Sequence, residues 1–300
     1  MKLDLAKVRQ FGNIEFLARQ MVEGFITGLH KSPYHGFSVE FAEHKIYNPG
    51  EGTRHIDWKV YAKTDRLYTK RYEEETNLRC RILIDVSSSM YYPVETQGKI
   101  TFSIAAAAAL TYMLQKQRDA VGISTFAQEM EWQTSIKSTP SHVHKLFLGL
   151  QNLLERKPEY QKTSVAPVLH QIADSVHRRS LIVIFSDMFD EGNTEEIFAA
   201  LQHLKHNRHE VLLFHVTDRA TEQLFEFEER PYEFLDLESG EKLKIKPSQV
   251  QDHYKEAIGQ FSQDLKLRCG QYKIDFIEAD IRNGIDGILL PYLVKRSKMS

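Results

Sequence analysis

The chain has little cysteine, no long apolar run and almost no net charge, and each shortage closes off a class of function. Two cysteines in 300 residues, Cys80 and Cys269, cannot build a disulfide framework. Both stand beside apolar segments, as small core residues do in a reducing compartment. No apolar stretch reaches the roughly 18 residues of a membrane-spanning helix, and the opening MKLDLAKVRQ lacks the apolar core of a secretory leader. The expectation is a cytoplasmic chain with no membrane span. Lysine plus arginine (39) nearly balances aspartate plus glutamate (41), so the formal charge of -2 supplies no global field to gather nucleic acid or an anionic bilayer. Glycine is absent from 79–97, which removes the G-x-S-x-G turn that exposes a hydrolase serine.

What is present, 42% hydrophobic and 27% charged residues, is enough for a sizeable core. The character changes near residue 78, which divides the chain into 1–77 and 78–300. Leu5, Val8, Phe11, Ile14, Leu17, Met21 and Phe25 recur at helical spacing, and Gly28 with Pro33 reads as their stop. From Gly36 to Tyr72 the pattern shortens to alternation in FSVEF and LYTKRY, with turn chemistry at Asn48-Pro49-Gly50 and Thr64-Asp65, which predicts a small β-rich element. Basic and aromatic residues interleave there, but Glu73, Glu74 and Glu75 follow at once, so a solvated hairpin is expected rather than a nucleic-acid surface.

After Arg79 strands are predicted at 80–85, 120–126, 180–186, 210–216 and 273–278, separated by helices near 98–118, 140–155, 165–177, 193–206 and 248–268. That rhythm predicts an α/β domain of three layers with a mostly parallel sheet. The runs LIVIF and VLLF do not alternate, as expected of strands covered on both faces. Residues 219–247 interrupt the rhythm as an insertion, within which YEFLDLESGEKLKIK predicts a hairpin turning at Ser239-Gly240.

Ligands of open α/β sheets bind beyond the carboxyl ends of the strands. RILIDVSSSM ends on Asp85 with Ser87 and Ser89 behind it, LIVIFSDMFD ends on Asp187, and YQKTSVAPVL sets Thr163 and Ser164 before a helix. All these donors are hard oxygens, a set that suits Mg²⁺, Mn²⁺ or Ca²⁺ rather than zinc or copper. On spacing alone the serines could equally cap the next helix. A Mg²⁺-dependent phosphatase or hydrolase would use Asp85, or a serine of 87–89, as nucleophile. An aspartyl-phosphate enzyme usually wants a second acid two residues on, where this chain has Ser87. A non-enzymatic binding module is therefore expected.

Asp85, Ser87, Ser89, Thr163 and Asp187, in that order and in an α/β rhythm, resemble the metal-ion-dependent adhesion site of von Willebrand factor A domains. The resemblance implies a Rossmann-like six-stranded sheet with Ser87, Ser89 and Thr163 as ligands of Mg²⁺, Ser164 being the alternative to Thr163. It implies that Asp85 and Asp187 act largely through bound water, and that a partner's carboxylate completes the shell. Met90, Ser164 and Met188 are the expected partner contacts. The preceding segment YNPGEGTRHIDWKVYAKTDRLYTKRYEEE, residues 47–75, is similar to the stretch ahead of this domain in bacterial proteins of the domain of unknown function 58 family. Asn48-Pro49-Gly50, Arg54, Ile56-Asp57-Trp58 and Ala62 carry that likeness, which extends over about 32–217. Members of that family commonly lie beside MoxR-type AAA+ ATPases, so the resemblance implies an adaptor or co-chaperone whose partner is such an ATPase or its substrate.

Overall fold

The computed structural model describes residues 8–9, 12–29, 43–46, 58–71, 78–156, 164–189, 194–237, 240–285 and 287–289. The chain divides into two compact units, one of Met1–Thr27 with Leu78–Ser300 and one of Gly28–Asn77. The larger opens on helix α1 (Ile14–Leu29), whose first turn is capped where the Asn13 side chain accepts from the Phe16 N–H at 2.9 Å. Its buried residues Ile14, Leu17, Ala18, Met21 and Val22 follow helical spacing and join the main core. The sequence grouped this helix with residues up to 77; its apolar stripe places it in the larger unit instead.

In the smaller unit, β1 (Glu43–Ile46) and β2 (Tyr68–Arg71) pair antiparallel with Glu43 opposite Arg71. Between them lies helix α2 (Trp58–Thr64), which the β-rich expectation did not include. Trp58 and Tyr61, three residues apart on this helix, meet edge to face at 6.2 Å. The FSVEF stretch, Asn48-Pro49-Gly50, Arg54 and Asp57 lie outside the described residues.

The larger unit continues with β3 (Arg79–Asp85), α3 (Gly98–Lys116), β4 (Ala120–Phe126), β5 (Met130–Gln133), α4 (Pro140–Glu155), α5 (Val165–Ser175), β6 (Leu181–Ser186), α6 (Thr194–His206) and β7 (Glu210–Thr217). It ends with β8 (Tyr232–Leu235), β9 (Lys242–Ile245), α7 (Gln251–Gln271) and β10 (Asp275–Asp280). Six strands form one sheet in the order β10-β7-β6-β3-β4-β5, every pair parallel except β4 with β5. This is the three-layer, mostly parallel α/β architecture expected.

Burial on both faces explains why its strands do not alternate polar and apolar. The alternation survives as a choice between two cores: Ile82, Ile84, Val183, Phe185, Leu212 and Phe214 face one, while Leu83, Ile182, Ile184, Val211 and Leu213 face the other. The alanines of α3, Ala105 to Ala109, are buried in the first core, where their short side chains let the helix lie close to the sheet. Cys80 belongs to the first core and Cys269 to the second, both as free thiols.

The chain lays β4 on one side of β3 and then returns to lay β6 on the other. The carboxyl ends of β3 and β6 thus form the point where strand order reverses, the place at which such sheets open a crevice. The insertion forms the predicted hairpin, Phe234 of β8 opposite Leu243 of β9, with Gly240 at φ 76° in the turn. Phe225, Phe227, Phe234 and Tyr254 of α7 build a small aromatic cluster beneath it. Among the described residues no helix is long and apolar enough to cross a membrane.

Candidate metal centre

Asp85 is the last residue of β3 and Ser186 the last of β6, and the parallel register sets them side by side. The Ser186 hydroxyl donates to Asp85 Oδ2 at 2.7 Å and the Ser87 N–H to Asp85 Oδ1 at 2.9 Å. The side chain of Asp85 is wholly buried. Burial first, and the nearby negative charge of Asp187 second, push its carboxyl up to about 7 against the hydrogen bonds it accepts.

Ser87 Oγ and Ser89 Oγ lie 3.1 Å apart. The Ser87 hydroxyl lies near enough to Asp85 to work against the rise of its pKa, and the Ser89 hydroxyl near enough to Asp187 to help lower its pKa. Two carboxylates and two hydroxyls therefore gather as one cluster of oxygens at the switch point. Asp187 is fixed further through its backbone. Its carbonyl accepts from His215 Nε2 at 3.0 Å, so that nitrogen carries the ring proton and the buried Nδ1 is left without a partner. The next residue, Met188, takes φ 54° and donates its N–H to Ser186 Oγ at 2.8 Å, turning the chain sharply off the strand.

A cation stands behind these acids. Lys99, in the first turn of α3, is completely buried; its ammonium donates to Asp187 Oδ2 at 2.9 Å and to Glu222 Oε1 at 2.6 Å. Burial opposes the charge on Lys99, but the two carboxylates prevail and hold its pKa above the ordinary lysine value. For Asp187 burial likewise raises the pKa, yet Lys99 outweighs it and the carboxyl stays below its ordinary range. Glu222 belongs to the turn Arg219–Gln223 after β7, and burial dominates there, raising its pKa. The same turn carries Thr221, whose buried hydroxyl has no hydrogen-bond partner among the described residues. Asp218 is neutralised separately by Arg282, at 2.6 and 3.0 Å.

The donor set fits a hard divalent ion. Among the described residues no three His, Cys, Asp or Glu gather around one point; the site has two carboxylates, and its other donors are hydroxyls. With the buried Asp85 and Asp187 and the part-exposed Glu222 all ionised, Lys99 leaves a formal surplus of two negative charges, which protonation of Asp85 near neutrality relieves in part when no ion is bound. A divalent cation would cancel that surplus, and such burial without compensation is costly.

Four of the expected ligands, Asp85, Ser87, Ser89 and Asp187, are thus brought together. Thr163 lies outside the described residues. Ser164 directly precedes α5 and is drawn to the same edge by its N–H, which donates to the carbonyl of Ala127 just beyond β4, at 3.0 Å. The partner contacts need correction: Met90 and Met188 are both 0% exposed, filling the cores under the site. The apolar residues that do reach solvent in these loops are Phe189, 47% exposed, and Val94, 55%. Lys99, Glu222 and His215 were missed. Lys99 did carry a signal, being the one charged residue in GKITFSIAAAAALTYML; Glu222, in a polar loop, carried none.

One family model, described as "Protein of unknown function DUF58", matches residues 43–263. Uncharacterized proteins of Mycobacterium bovis and Mycobacterium tuberculosis are each 23% identical over 205 residues, 68% of this chain and 63% of theirs. The chain therefore spans less than two thirds of the length of these curated relatives. Among solved structures it is similar to the conserved hypothetical protein BatB from Bacteroides thetaiotaomicron, with 13% identity, 74% of this chain and 98% of that chain covered, and a TM-score of 0.40. It is also similar to a von Willebrand factor type A protein from Catenulispora acidiphila, with 13% identity, 50% and 34% covered, and a TM-score of 0.35. The family match takes in the small unit's strands, the switch point with its oxygen cluster and most of α7, and the chain belongs to the DUF58 family, proteins of unknown function.

Proposed function

We propose that the chain is a metal-dependent protein-interaction module, which grips a partner's carboxylate at the switch point of its sheet. The observation that carries this reading is the cluster of oxygens from Asp85, Ser87, Ser89 and Asp187 at the switch point, with two acids set close enough to raise the pKa of Asp85. Asp85, Ser87, Ser89 and Asp187, with Thr163 or Ser164, would hold Mg²⁺, and Mn²⁺ or Ca²⁺ suit the same donors. When bound, the ion supplies an electrophilic point that an aspartate or glutamate of the partner can complete. Exposed Phe189 and Val94 add apolar contact beside it. The partner proposed, from the family resemblance, is a MoxR-type AAA+ ATPase or its substrate, with this chain acting as adaptor in the cytoplasm.

A non-enzymatic role is supported by the state of the would-be nucleophiles. Both carboxylate oxygens of Asp85 already accept hydrogen bonds and the residue is buried, as are Ser87 and Ser88, Ser89 alone of the three serines being partly exposed. Titration of Mg²⁺ and Mn²⁺ into chelator-stripped protein, beside Asp85→Ala, tests the reading. Saturable binding that the variant loses is the expected result. Binding that survives in Asp85→Ala with unchanged circular dichroism would place any metal elsewhere and sink the proposal.

A further inference from the structure

The edge of the sheet opposite the metal centre has a repeated feature. Each helix-to-strand turn ahead of β4, β6, β7 and β10 places a basic residue in left-handed backbone: Arg118 at φ 60°, Arg179 at 62°, Arg208 at 60° and Lys273 at 56°. Each stands two residues before its strand. Glycine or asparagine adopts that conformation more readily than a long side chain. The four turns nonetheless share a positive charge, and Arg79 adds another as the first residue of β3. All five side chains are exposed, and none has an ion pair or side-chain hydrogen bond among the described residues. Because these strands are parallel neighbours, the five cations line one edge at the spacing of adjacent strands, about 4.8 Å each.

The row deepens at its middle. His177, Arg178, Arg179, His206, Asn207 and Arg208 line a half-open pocket of about 560 Å³, within the size range of small-ligand sites. No acid lines it. Its two walls are pinned together where Asn207 Nδ2 donates to the carbonyl of Ala173 at 2.7 Å. Of the nearest acids along the chain, Asp174 pairs with His203. Complementing the helix dipole accounts for part of this charge, since Arg178 and Arg179 follow the carboxyl end of α5 and Lys205 stands in the last turn of α6. Three guanidinium charges against two helix carboxyl ends of about half a negative charge each leave a net surplus near two positive charges.

The geometry points to an anion site between the α5–β6 and α6–β7 turns that takes a compact ligand with two or more linked phosphates. Guanidinium groups pair with phosphate oxygens two at a time, and Arg178 and Arg179 from one turn line the same pocket as Arg208 from the next. The site is independent of the metal centre, which lies at the other end of the same strands.

Calorimetric titration of inorganic pyrophosphate, and separately of ADP, into the full chain with chelator present tests it. Pyrophosphate should bind saturably and more weakly as salt is added. Affinity should fall about tenfold for each charge removed in Arg178→Gln, Arg179→Asn and Arg208→Asn. It should persist in Arg208→Lys and in Asp85→Ala. Asparagine suits left-handed backbone, so Arg179→Asn and Arg208→Asn should melt no lower than the parent, which separates a lost site from a lost fold. Tighter binding of ADP than of pyrophosphate would assign the site to a nucleotide; equal binding would assign it to a phosphate chain alone. Absence of saturable binding, indifference to the arginine variants, or equal displacement by an oligoglutamate would overturn the inference.

Discussion

Asp85 links the candidate site to the stability of the fold. Its folded-state pKa of about 7 lies above the ordinary carboxylate value of 3.8, so between those values the folded protein keeps a proton that the unfolded chain has lost. Metal-free protein should accordingly lose stability as pH rises through that window and level off above it. Asp187 acts in the opposite sense, since its lowered pKa confines its own contribution to more acidic conditions. Thermal melts of chelated protein from about pH 5 to about pH 8 should show the decline, and Asp85→Asn should flatten it. Added Mg²⁺ should reverse the trend, because ion and proton compete for one carboxylate; a melting temperature that ignores both pH and Mg²⁺ would contradict this reading. Lys99→Met leaves the buried Asp187 and the part-exposed Glu222 without their cation, and a loss of roughly 3 kcal/mol in urea unfolding is expected. Adding Asp187→Asn to Lys99→Met should cost less than the sum of the two single changes. Asp85, Ser87, Ser89 and Asp187 were legible in the sequence because each sits where an apolar run stops. Lys99 was harder to read because its partners come from the far end of β6 and from an insertion, and no local spacing encodes such a meeting.

Elements were legible in proportion to how much of their burial is their own. β3, β4, β6 and β7 showed as aliphatic or mostly apolar runs, since central parallel strands are shielded by helices on both faces, whereas β10, an edge strand of sequence DFIEAD, showed by partial alternation. β5 was missed: MEWQ is a four-residue antiparallel edge, half-buried on alternate residues only. It is held by Trp132, which packs across the sheet edge against α4. A methyl group added at Gly149 of α4 would come within 2.2 Å of that indole. Gly149→Ala should therefore cost about 1–3 kcal/mol in chemical denaturation, whereas the same change at Gly259 of α7, with open space around it, should act only through helix propensity. Helix α1 was legible as a helix, but its place was not, because a stripe of Leu and Ile states that it must be covered without stating by what. Leu17, 3% exposed in the main core, gives a check: Leu17→Ala should destabilise the larger unit by about 2–5 kcal/mol. An unchanged denaturation midpoint would mean the helix is not docked on that core.

At the scale of the molecule, a formal charge of -2 conceals a separation of charge along the strands. Acids collect at the carboxyl ends around Asp85, Asp187 and Glu222, and unpaired arginines collect at the amino ends around Arg179 and Arg208. Composition averages this away, and only the parallel topology reveals it, by sending every strand start to one edge and every strand end to the other. The same sheet also divides the two cysteines. Cys80 lies in the core on one side and Cys269 in the core on the other, the latter with its thiol pushed up to about 12 by burial. Each thiol reacts only when its own layer opens, which makes the pair two internal clocks. Alkylation of the native protein, resolved by mass spectrometry, would time the helix layers separately and show whether the halves of this domain breathe together or one at a time.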